Sequence, residues 1–203
     1  MRQCDFGFSL PVSLAVVALA TDSPSRQGGI FRTDLVEAIV HGDRYRVTSS
    51  SSHLAAVVEG PLSTAVENKH PHRVLISARA WFDFCSLAAG ASAQSVEVRT
   101  GAAGSTLGFS IGEQHSAAEV PAIDARLPPV GDIVRPAKTS TRRGTPFTLT
   151  PKLLTRVQRI AAAVLGPDVP LTVTLSERGL VLWHGSLGET SLICLIQAPP
   201  VVR

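Results

Sequence analysis

The sequence has few cysteines, aromatic residues and charges for its length, and each shortage excludes a class of protein. Its three cysteines, Cys4, Cys85 and Cys194, lie far apart with no Cys-x-x-Cys spacing, so neither a disulfide framework nor a zinc site is predicted. No stretch reaches the ~20 uninterrupted apolar residues of a membrane span, so no membrane partner is expected. Aromatic residues make up 5% and charged residues 17% of the 203 residues, whereas hydrophobic residues reach 44%. This composition predicts a soluble globular protein with a core of small aliphatic side chains.

Motifs for catalysis are also missing. Ser49–Ser52 precede His53, but neighbouring strand residues point to opposite faces and no nucleophile-elbow motif surrounds them. His70 and His72 have no carboxylate or cysteine at ligand spacing. The glycine-containing run 101–105 lacks the lysine and following helix of a phosphate-binding loop, so it predicts a hairpin turn. The sequence therefore predicts a protein that is not an enzyme and holds no metal or cofactor.

The N-terminus admits two interpretations. Arg2 followed by the apolar run Leu10–Ala20 resembles a secretory signal with small residues before a cleavage site. Asp5 in the basic region and Pro11 inside the apolar run argue against a signal. A strand followed by a helix with proline in its first turn explains the same residues, so this interpretation is favoured and secretion is the alternative.

A strand, a short helix and two or three further strands recur three times along the chain. The strand and helix pairs are Phe6–Leu10 with Pro11–Ala20, Arg73–Ser77 with Ala78–Ala89, and Pro146–Thr150 with Pro151–Leu165. A unit of this size cannot bury its own apolar face, so neighbouring copies are expected to share a core. The pattern predicts an α+β fold of repeated β-α-β-β-β units, with the helices on one face of antiparallel sheets.

Alternating apolar segments predict the other strands. These are Ile30–Val40, Arg44–Val47, Leu54–Val58, Ser95–Thr100, Thr106–Ile111, Ser116–Ile123, Leu171–Leu175, Leu180–His184 and Ser191–Gln197. Gly42-Asp43 is expected to form a turn, and residues 61–71 are expected to connect two units. A stretch rich in Pro, Gly, Thr and Arg predicts a linker over 124–145, which separates a two-unit domain at 1–123 from a third unit at 146–203.

The second helix is predicted from its cap and its large apolar residues. Ser77 is expected to cap it and Gly90 to end it. Four side chains are expected to face the core: Trp81, Phe82, Phe84 and Leu87.

The third helix has the clearest signals and two distinct faces. Thr150 and Pro151 predict its start, and Gly166 predicts its end. Apolar residues share one face at helical spacing: Leu153, Val157, Ile160 and Val164. Cations recur at i, i+4 and i+7 on a different face: Lys152, Arg156 and Arg159. The helix is therefore predicted to present one side to a sheet and the other to anions.

Four segments carry a family resemblance. Phe8-Ser9-Leu10-Pro11 precedes an apolar helix, residues 47–55 lie between two strands, residues 124–130 form a proline turn, and residues 195–199 close the last strand. Together they resemble the sliding DNA clamps, specifically the bacterial DNA polymerase III beta subunit. The second segment matches the family's Ala-Thr-Asp-Gly-His-Arg-Leu-Ala signature with serines in place of its core. The last two resemble the Asp-Gly-Arg-Phe-Pro-Asp-Tyr turn, whose tyrosine is absent, and the Met-Pro-x-Arg tail.

The resemblance implies an assembly and its partners. The bacterial subunit has six such units and proliferating cell nuclear antigen has four, whereas this sequence shows three. A ring of twelve units around duplex DNA would need four copies, and an unclosed clamp relative or a divergent viral or accessory version is equally allowed. The unpaired third unit is expected to pair with another subunit. Its implied partners are duplex DNA, a DNA polymerase and a clamp loader in the cytoplasm of a bacterial or phage-infected cell. The alternative function is a non-DNA-binding oligomeric scaffold built on the same repeat.

The resemblance also implies site residues. Helix cations would contact duplex phosphates without reading sequence: Lys152, Arg156, Arg159 and Arg79. A hydrophobic cleft for partner peptides would lie between the first half of a domain, the proline turn and the C-terminal tail. The matching positions are Thr48, Leu54, Pro128, Ile133, Ile196 and Pro199. Two plainer interpretations remain open, namely a basic face that only keeps the protein soluble and apolar residues that belong to the ordinary core.

Overall fold

The computed structural model describes most of the chain. The described residues are 6–21, 33–67, 70–90, 93–100, 106–111, 114–119, 128–130, 132–134, 149–176 and 179–197. Their strands are β1 Phe6–Pro11, β2 Leu35–Ser50, β3 Leu54–Val66, β4 His72–Ser77, β5 Ser95–Thr100, β6 Thr106–Ile111, β7 Gln114–Glu119, β8 Thr172–Leu175, β9 Leu180–Leu187 and β10 Thr190–Gln197. Their helices are a 3₁₀ helix Val12–Ala20, α1 Ala78–Gly90 and α2 Pro151–Leu165. Residues 130 and 132–134 form a short helical turn.

The strands form two antiparallel sheets. One has the order β1-β5-β6-β7, and the other has the order β4-β2-β3-β10-β9-β8. The first unit (β1, the 3₁₀ helix, β2 and β3) and the second (β4, α1, β5, β6 and β7) exchange their first strands. β1 pairs with β5, and β4 pairs with β2. The third unit (α2, β8, β9 and β10) joins the first because β10 pairs with β3. The six-stranded sheet therefore contains strands of all three units, namely β4 of the second, β2 and β3 of the first, and β8, β9 and β10 of the third.

This pairing corrects the expectation that the third unit pairs with another subunit. Cys194 of β10 lies opposite Ala56 of β3, and the pairing runs from Ser191 opposite Glu59 to Ile196 opposite Leu54. The alternating apolar residues of both strands continue the same core across the junction, so the edge of β3 is satisfied within the chain.

Side chains reinforce the junction between the first and third units. Arg44 Nη1 lies 3.5 Å from Glu189 Oε2, and its Nη2 donates a 3.2 Å hydrogen bond to the Glu189 carbonyl. The side chains of Tyr45 and Thr190 are hydrogen-bonded. Gly60 makes room for the buried Tyr45 ring, because a Cβ at this position would lie 2.5 Å from the tyrosine hydroxyl. Backbone pairing, an ion pair and packing thus attach the third unit to the first.

The helices form one layer against the sheets. The 3₁₀ helix packs against both α1 and α2, and all three helices contact strands. Trp81 of α1 is fully buried, and its indole N–H donates a 3.0 Å hydrogen bond to the Leu14 carbonyl in the 3₁₀ helix. Ser49 of β2 donates to the Val17 carbonyl in the same helix. The main core lies between this layer and the sheets, which is the predicted α+β arrangement with the helices on one face.

Most predicted elements are confirmed, including the bounds of β5, β6 and α2. The Ser77 hydroxyl caps α1 by accepting from the Ala80 N–H at 3.1 Å. Gly42 has a φ of +61°, and the pairing register of β2 shifts between Gly42 and Arg44. The predicted turn at Gly42-Asp43 is wrong, because β2 runs without a break from Leu35 to Ser50. The strand changes its partner there instead, pairing with β4 before this point and with β3 from it onward.

Other expectations also differ from the structure or lie outside its described part. β3 continues through Pro61 to Val66 instead of ending in a connector, because Arg44 and Gly42 of β2 lie opposite these two residues. Phe82 is 39% exposed and does not belong to the core, because it follows Trp81 and points away from the sheet. The Phe84 and Leu87 side chains and most of the predicted linker and strand at 124–148 lie outside the described residues.

Candidate functional site

The core face of α2 fixes the direction of its basic residues. The Thr150 side chain caps the helix by accepting from the Leu153 N–H at 3.4 Å, and Pro151 occupies the first turn. Val157 and Ile160 are fully buried against the sheet and the 3₁₀ helix. The opposite side of α2 is therefore turned away from the sheets.

The three predicted cations lie on this outward side of α2. Lys152 and Arg159 are exposed, and Arg156 is half-buried at the border of the core face. They span about 10 Å along the helix, since each residue adds about 1.5 Å. The structure therefore brings together three of the four predicted DNA-binding residues on one helix.

The charge of this stripe is not neutralised by its described surroundings. None of Lys152, Arg156 and Arg159 forms an ion pair with a described acidic residue, and α2 contains no acidic residue. Lys152 stands in the first turn, at the positive end of the helix dipole, where a cation is unfavourable by a few tenths of a kcal/mol. The helix thus retains charges that do not stabilise it, which is typical of an anion-binding surface.

Arg79 of α1 has a different environment. It is exposed but forms an i,i+4 ion pair with Asp83, with 3.0 Å between its Nε and the carboxylate. The 3₁₀ helix between α1 and α2 carries no charged residue. Among the described parts of the helix layer, the unneutralised positive charge is concentrated on α2.

The outer face of the six-stranded sheet carries a second apolar cluster, which we call the outer groove. It consists of Ala55 and Val57 of β3, Leu182 of β9 and Leu195 of β10, flanked by half-buried Leu180 and Ile193. Residues 128–130 and 132–134, which we call the covering segment, lie over it. Its buried residues are Val130 and Val134, and half-buried Ile133 packs beside them. The outer groove therefore straddles the junction of the first and third units.

The outer groove contains only part of the predicted cleft. Ile133 packs on it, and half-buried Pro128 begins the covering segment. Thr48 lies opposite Val57 across the β2–β3 pair and therefore shares the outer face. Pro199 lies outside the described residues.

Leu54 and Ile196 are core residues, which corrects their assignment to the cleft. They are 1% and 0% exposed and pack in the main core under the helices. Successive strand residues point to opposite faces, so the outer face belongs to their neighbours Ala55 and Leu195. The period-two alternation of a strand shows which residues share a face. Because both faces of these strands are apolar, the alternation does not show which face lies away from the helices.

Comparison with known proteins identifies the architecture. No family model and no curated protein matches the sequence. Among solved structures, the chain is similar to the DNA polymerase sliding clamp from Bacillus subtilis, with a TM-score of 0.67 and 10% identity over 97% of this chain. It is also similar to the DNA polymerase III beta subunit from Thermotoga maritima, with a TM-score of 0.63 and 10% identity over 97% of this chain. The chain has the DNA clamp fold.

The chain covers different shares of these solved structures. The chain spans 65% of the length of each of the two bacterial proteins. It spans 99% of A. fulgidus PCNA, solved with the C-terminal region of FEN-1 bound, with a TM-score of 0.59 and 10% identity over 97% of this chain. The predicted resemblance to sliding clamps is thus confirmed for the fold.

Two further properties concern only the described residues. None of their helices is long and apolar enough to cross a membrane. Within the same part of the chain, His, Cys, Asp and Glu side chains form no group of three or more that could hold a metal ion.

Proposed function

We propose that this chain is a DNA sliding clamp, a processivity factor that holds a DNA polymerase on duplex DNA without catalysis. The main support is the stripe of Lys152, Arg156 and Arg159 on the open side of the helix layer, with no acidic partner among the described residues. Cations so placed contact duplex phosphates without reading sequence, which a sliding protein requires. Arg79 contributes less, because Asp83 offsets its charge.

The working form is proposed to be a homo-oligomeric ring around DNA, in which four copies supply twelve units. β3 already pairs with β10 within the chain, so another edge has to join the copies. β7 is the last strand of the second unit, just as β3 ends the first unit and β10 ends the third. In the described sheet, β7 pairs with β6 alone. We assign one side of the contact between copies to β7, since an open edge accepts a further strand. A closed ring also requires a second, different edge on each copy to receive it.

Polymerase and clamp loader are proposed to bind the outer face through an apolar peptide. The outer groove offers Ala55, Val57 and Leu195, with Thr48 beside it. Burying one Leu or Phe side chain of a partner would contribute about 1.5–3 kcal/mol. Pro199 remains a predicted member of this site, and a bacterial or phage-infected cytoplasm remains the proposed location.

Retention on circular DNA tests encirclement. The chain is incubated with a nicked circular plasmid, a bacterial clamp loader and ATP, and the DNA-bound fraction is isolated by gel filtration in high salt. Linearising the plasmid should release the chain, because a ring slides off a free end. Equal retention on circular and linear DNA would contradict encirclement.

The alternative is a non-DNA-binding oligomeric scaffold built on the clamp fold. One observation favours it: the described helix layer has unneutralised cations on α2 alone, since the 3₁₀ helix is uncharged and Arg79 is ion-paired. A scaffold would form the same oligomer but show no salt-dependent affinity for duplex DNA, which separates the two functions.

A further inference from the structure

The covering segment occupies the outer groove in the way a bound peptide helix would. Val130 and Val134 are 4% and 8% exposed, Ile133 is half-buried, and Asp132 between them is exposed. The three apolar residues recur at i, i+3 and i+4, which places them on one side of a helical turn. Helices that dock into apolar grooves use the same spacing.

The described contacts of the covering segment with the sheet are made by side chains. Its described backbone hydrogen bonds lie within the segment: Val130 to Pro128 at 2.7 Å, Asp132 to Pro129 at 3.1 Å and Ile133 to Pro129 at 3.3 Å. The contact with the sheet is the apolar cluster of Val130, Ile133 and Val134 with the outer groove. A contact of this kind can be exchanged for another apolar helix without breaking a strand pair.

The groove beneath the covering segment is complete without it. Ala55 and Val57 belong to β3, Leu182 belongs to β9, and Leu195 belongs to β10. These three strands are fixed by their own ladders, so the groove keeps its shape when the covering segment leaves. Its uncovered surface would be apolar and would fit the apolar face of a short helix.

We propose that the covering segment is a built-in competitor, which occupies the outer groove in the free protein and is displaced by a partner helix with apolar residues at i, i+3 and i+4. This inference deepens the peptide-binding part of the proposed function and does not depend on DNA contact. A tethered segment competes at an effective concentration on the order of millimolar. It therefore reduces the apparent association constant of any partner to the intrinsic constant multiplied by the fraction of molecules in which the groove is uncovered.

A peptide from the chain itself is the probe. A fluorescent peptide of residues 126–136 is titrated with the full chain, with the Val130→Ser/Val134→Ser variant and with Asp132→Ser as the matched control on the exposed side of the same turn. The double variant should bind the peptide about tenfold or more tightly than the wild type, because its own segment no longer competes. Asp132→Ser should match the wild type.

Further arms make each outcome decisive. Circular dichroism verifies that each variant folds. If the double variant unfolds, Ile133→Ser replaces it, because this substitution removes a single half-buried contact. Ile133→Ser should then bind the peptide about threefold more tightly than the wild type. A peptide carrying the two serines should bind none of the proteins. Equal affinity of wild type and folded variant overturns the competitor, and absence of binding to every variant overturns the groove as a helix site. Peptide binding that rises as expected while DNA retention fails refutes the proposed DNA function alone.

Discussion

Two titratable side chains in the six-stranded sheet are held in their neutral forms by burial. Burial raises the pKa of the Cys194 thiol to about 12, so this cysteine remains a protonated, unreactive core residue at neutral pH. Burial also lowers the pKa of His72, at the start of β4 opposite Val40. Cys194 is therefore a packing residue of the main core.

The half-buried His72 predicts that the protein loses stability in mild acid. Because its folded pKa lies below the unfolded value of about 6.5, the unfolded chain takes up a proton first as the pH falls. The contribution of neutral His72 to the free energy of unfolding is present above about pH 6.5 and decreases as the pH falls below it. Urea unfolding at a series of pH values from neutral to acid should show this decline, and His72→Gln should flatten it.

His41 provides the matched control for this measurement. It lies exposed on β2, the strand that pairs with β4. His41→Gln should leave the pH dependence of the free energy of unfolding as in the wild type. An unchanged slope in His72→Gln would show that burial of this imidazole does not couple to folding.

At the scale of elements, α2 was the most predictable part of the chain. Its cap, its core face and its basic stripe follow from local spacing, because a helix places residues i, i+3, i+4 and i+7 on one side whatever surrounds it. The bounds Pro151–Leu165 match the prediction. By contrast, the pairing of β10 with β3 joins residues distant in sequence, and nothing in either strand specifies its neighbour.

The candidate groove was only partly predictable for a related reason. β3 and β10 are apolar on both faces, so alternation separates Leu54 from Ala55 and Ile196 from Leu195 without indicating which pair lies under the helices. That choice depends on the covering segment, whose helical turn is too short to carry a periodic signal. The resemblance to clamps pointed to Thr48 beside the groove and to Pro128 and Ile133 in the covering segment, whereas the residues of the groove itself follow only from three-dimensional packing.

The stripe on α2 predicts a specific change in salt dependence. Removing one cation that touches a phosphate should reduce the slope of log K against log salt by about 0.9, so Arg159→Ala should lower it by about one and the Lys152→Ala/Arg156→Ala/Arg159→Ala variant by about three. Fluorescence anisotropy with a duplex between about 50 and 200 mM salt measures this slope. The triple variant should not be less stable, because it removes a cation from the positive end of the helix dipole.

Two controls accompany the α2 variants. Gln158→Ala changes an exposed neutral neighbour on α2 and should leave the slope unchanged. Arg79→Ala should change it by less than Arg159→Ala, because Asp83 already pairs with Arg79. Equal slopes for wild type and triple variant would remove α2 from the DNA-facing surface and favour the scaffold.

At the scale of the whole molecule, β7 is predicted to join the copies. Neighbouring N–H groups of a strand point to opposite sides, so the N–H groups of Ser116 and Ala117 face opposite edges of β7. Proline at one of these two positions removes a donor to β6, and proline at the other removes a donor at the open edge. The variant at the open edge should reduce the native mass from a multiple of 21.4 kDa to 21.4 kDa while keeping its fold. Native mass spectrometry with circular dichroism measures both properties.

The outcome for β7 has clear alternatives. Ala117→Val keeps the N–H group and should preserve the oligomer. If both proline variants remain folded and keep the wild-type mass, the copies meet elsewhere, for example at the outer side of β8. A wild type that is monomeric at all concentrations would contradict the ring itself.

The junction of β3 and β10 also has a consequence for biosynthesis. β3 is translated early, whereas its partner strand emerges only near the end of the described chain. At about 5–20 residues per second, the ribosome leaves the β3 edge without its partner for on the order of ten seconds. During that interval the nascent chain exposes the row of amide and carbonyl groups that recruits aggregation or chaperones, so its yield in the cell should depend on how quickly the β10 segment follows.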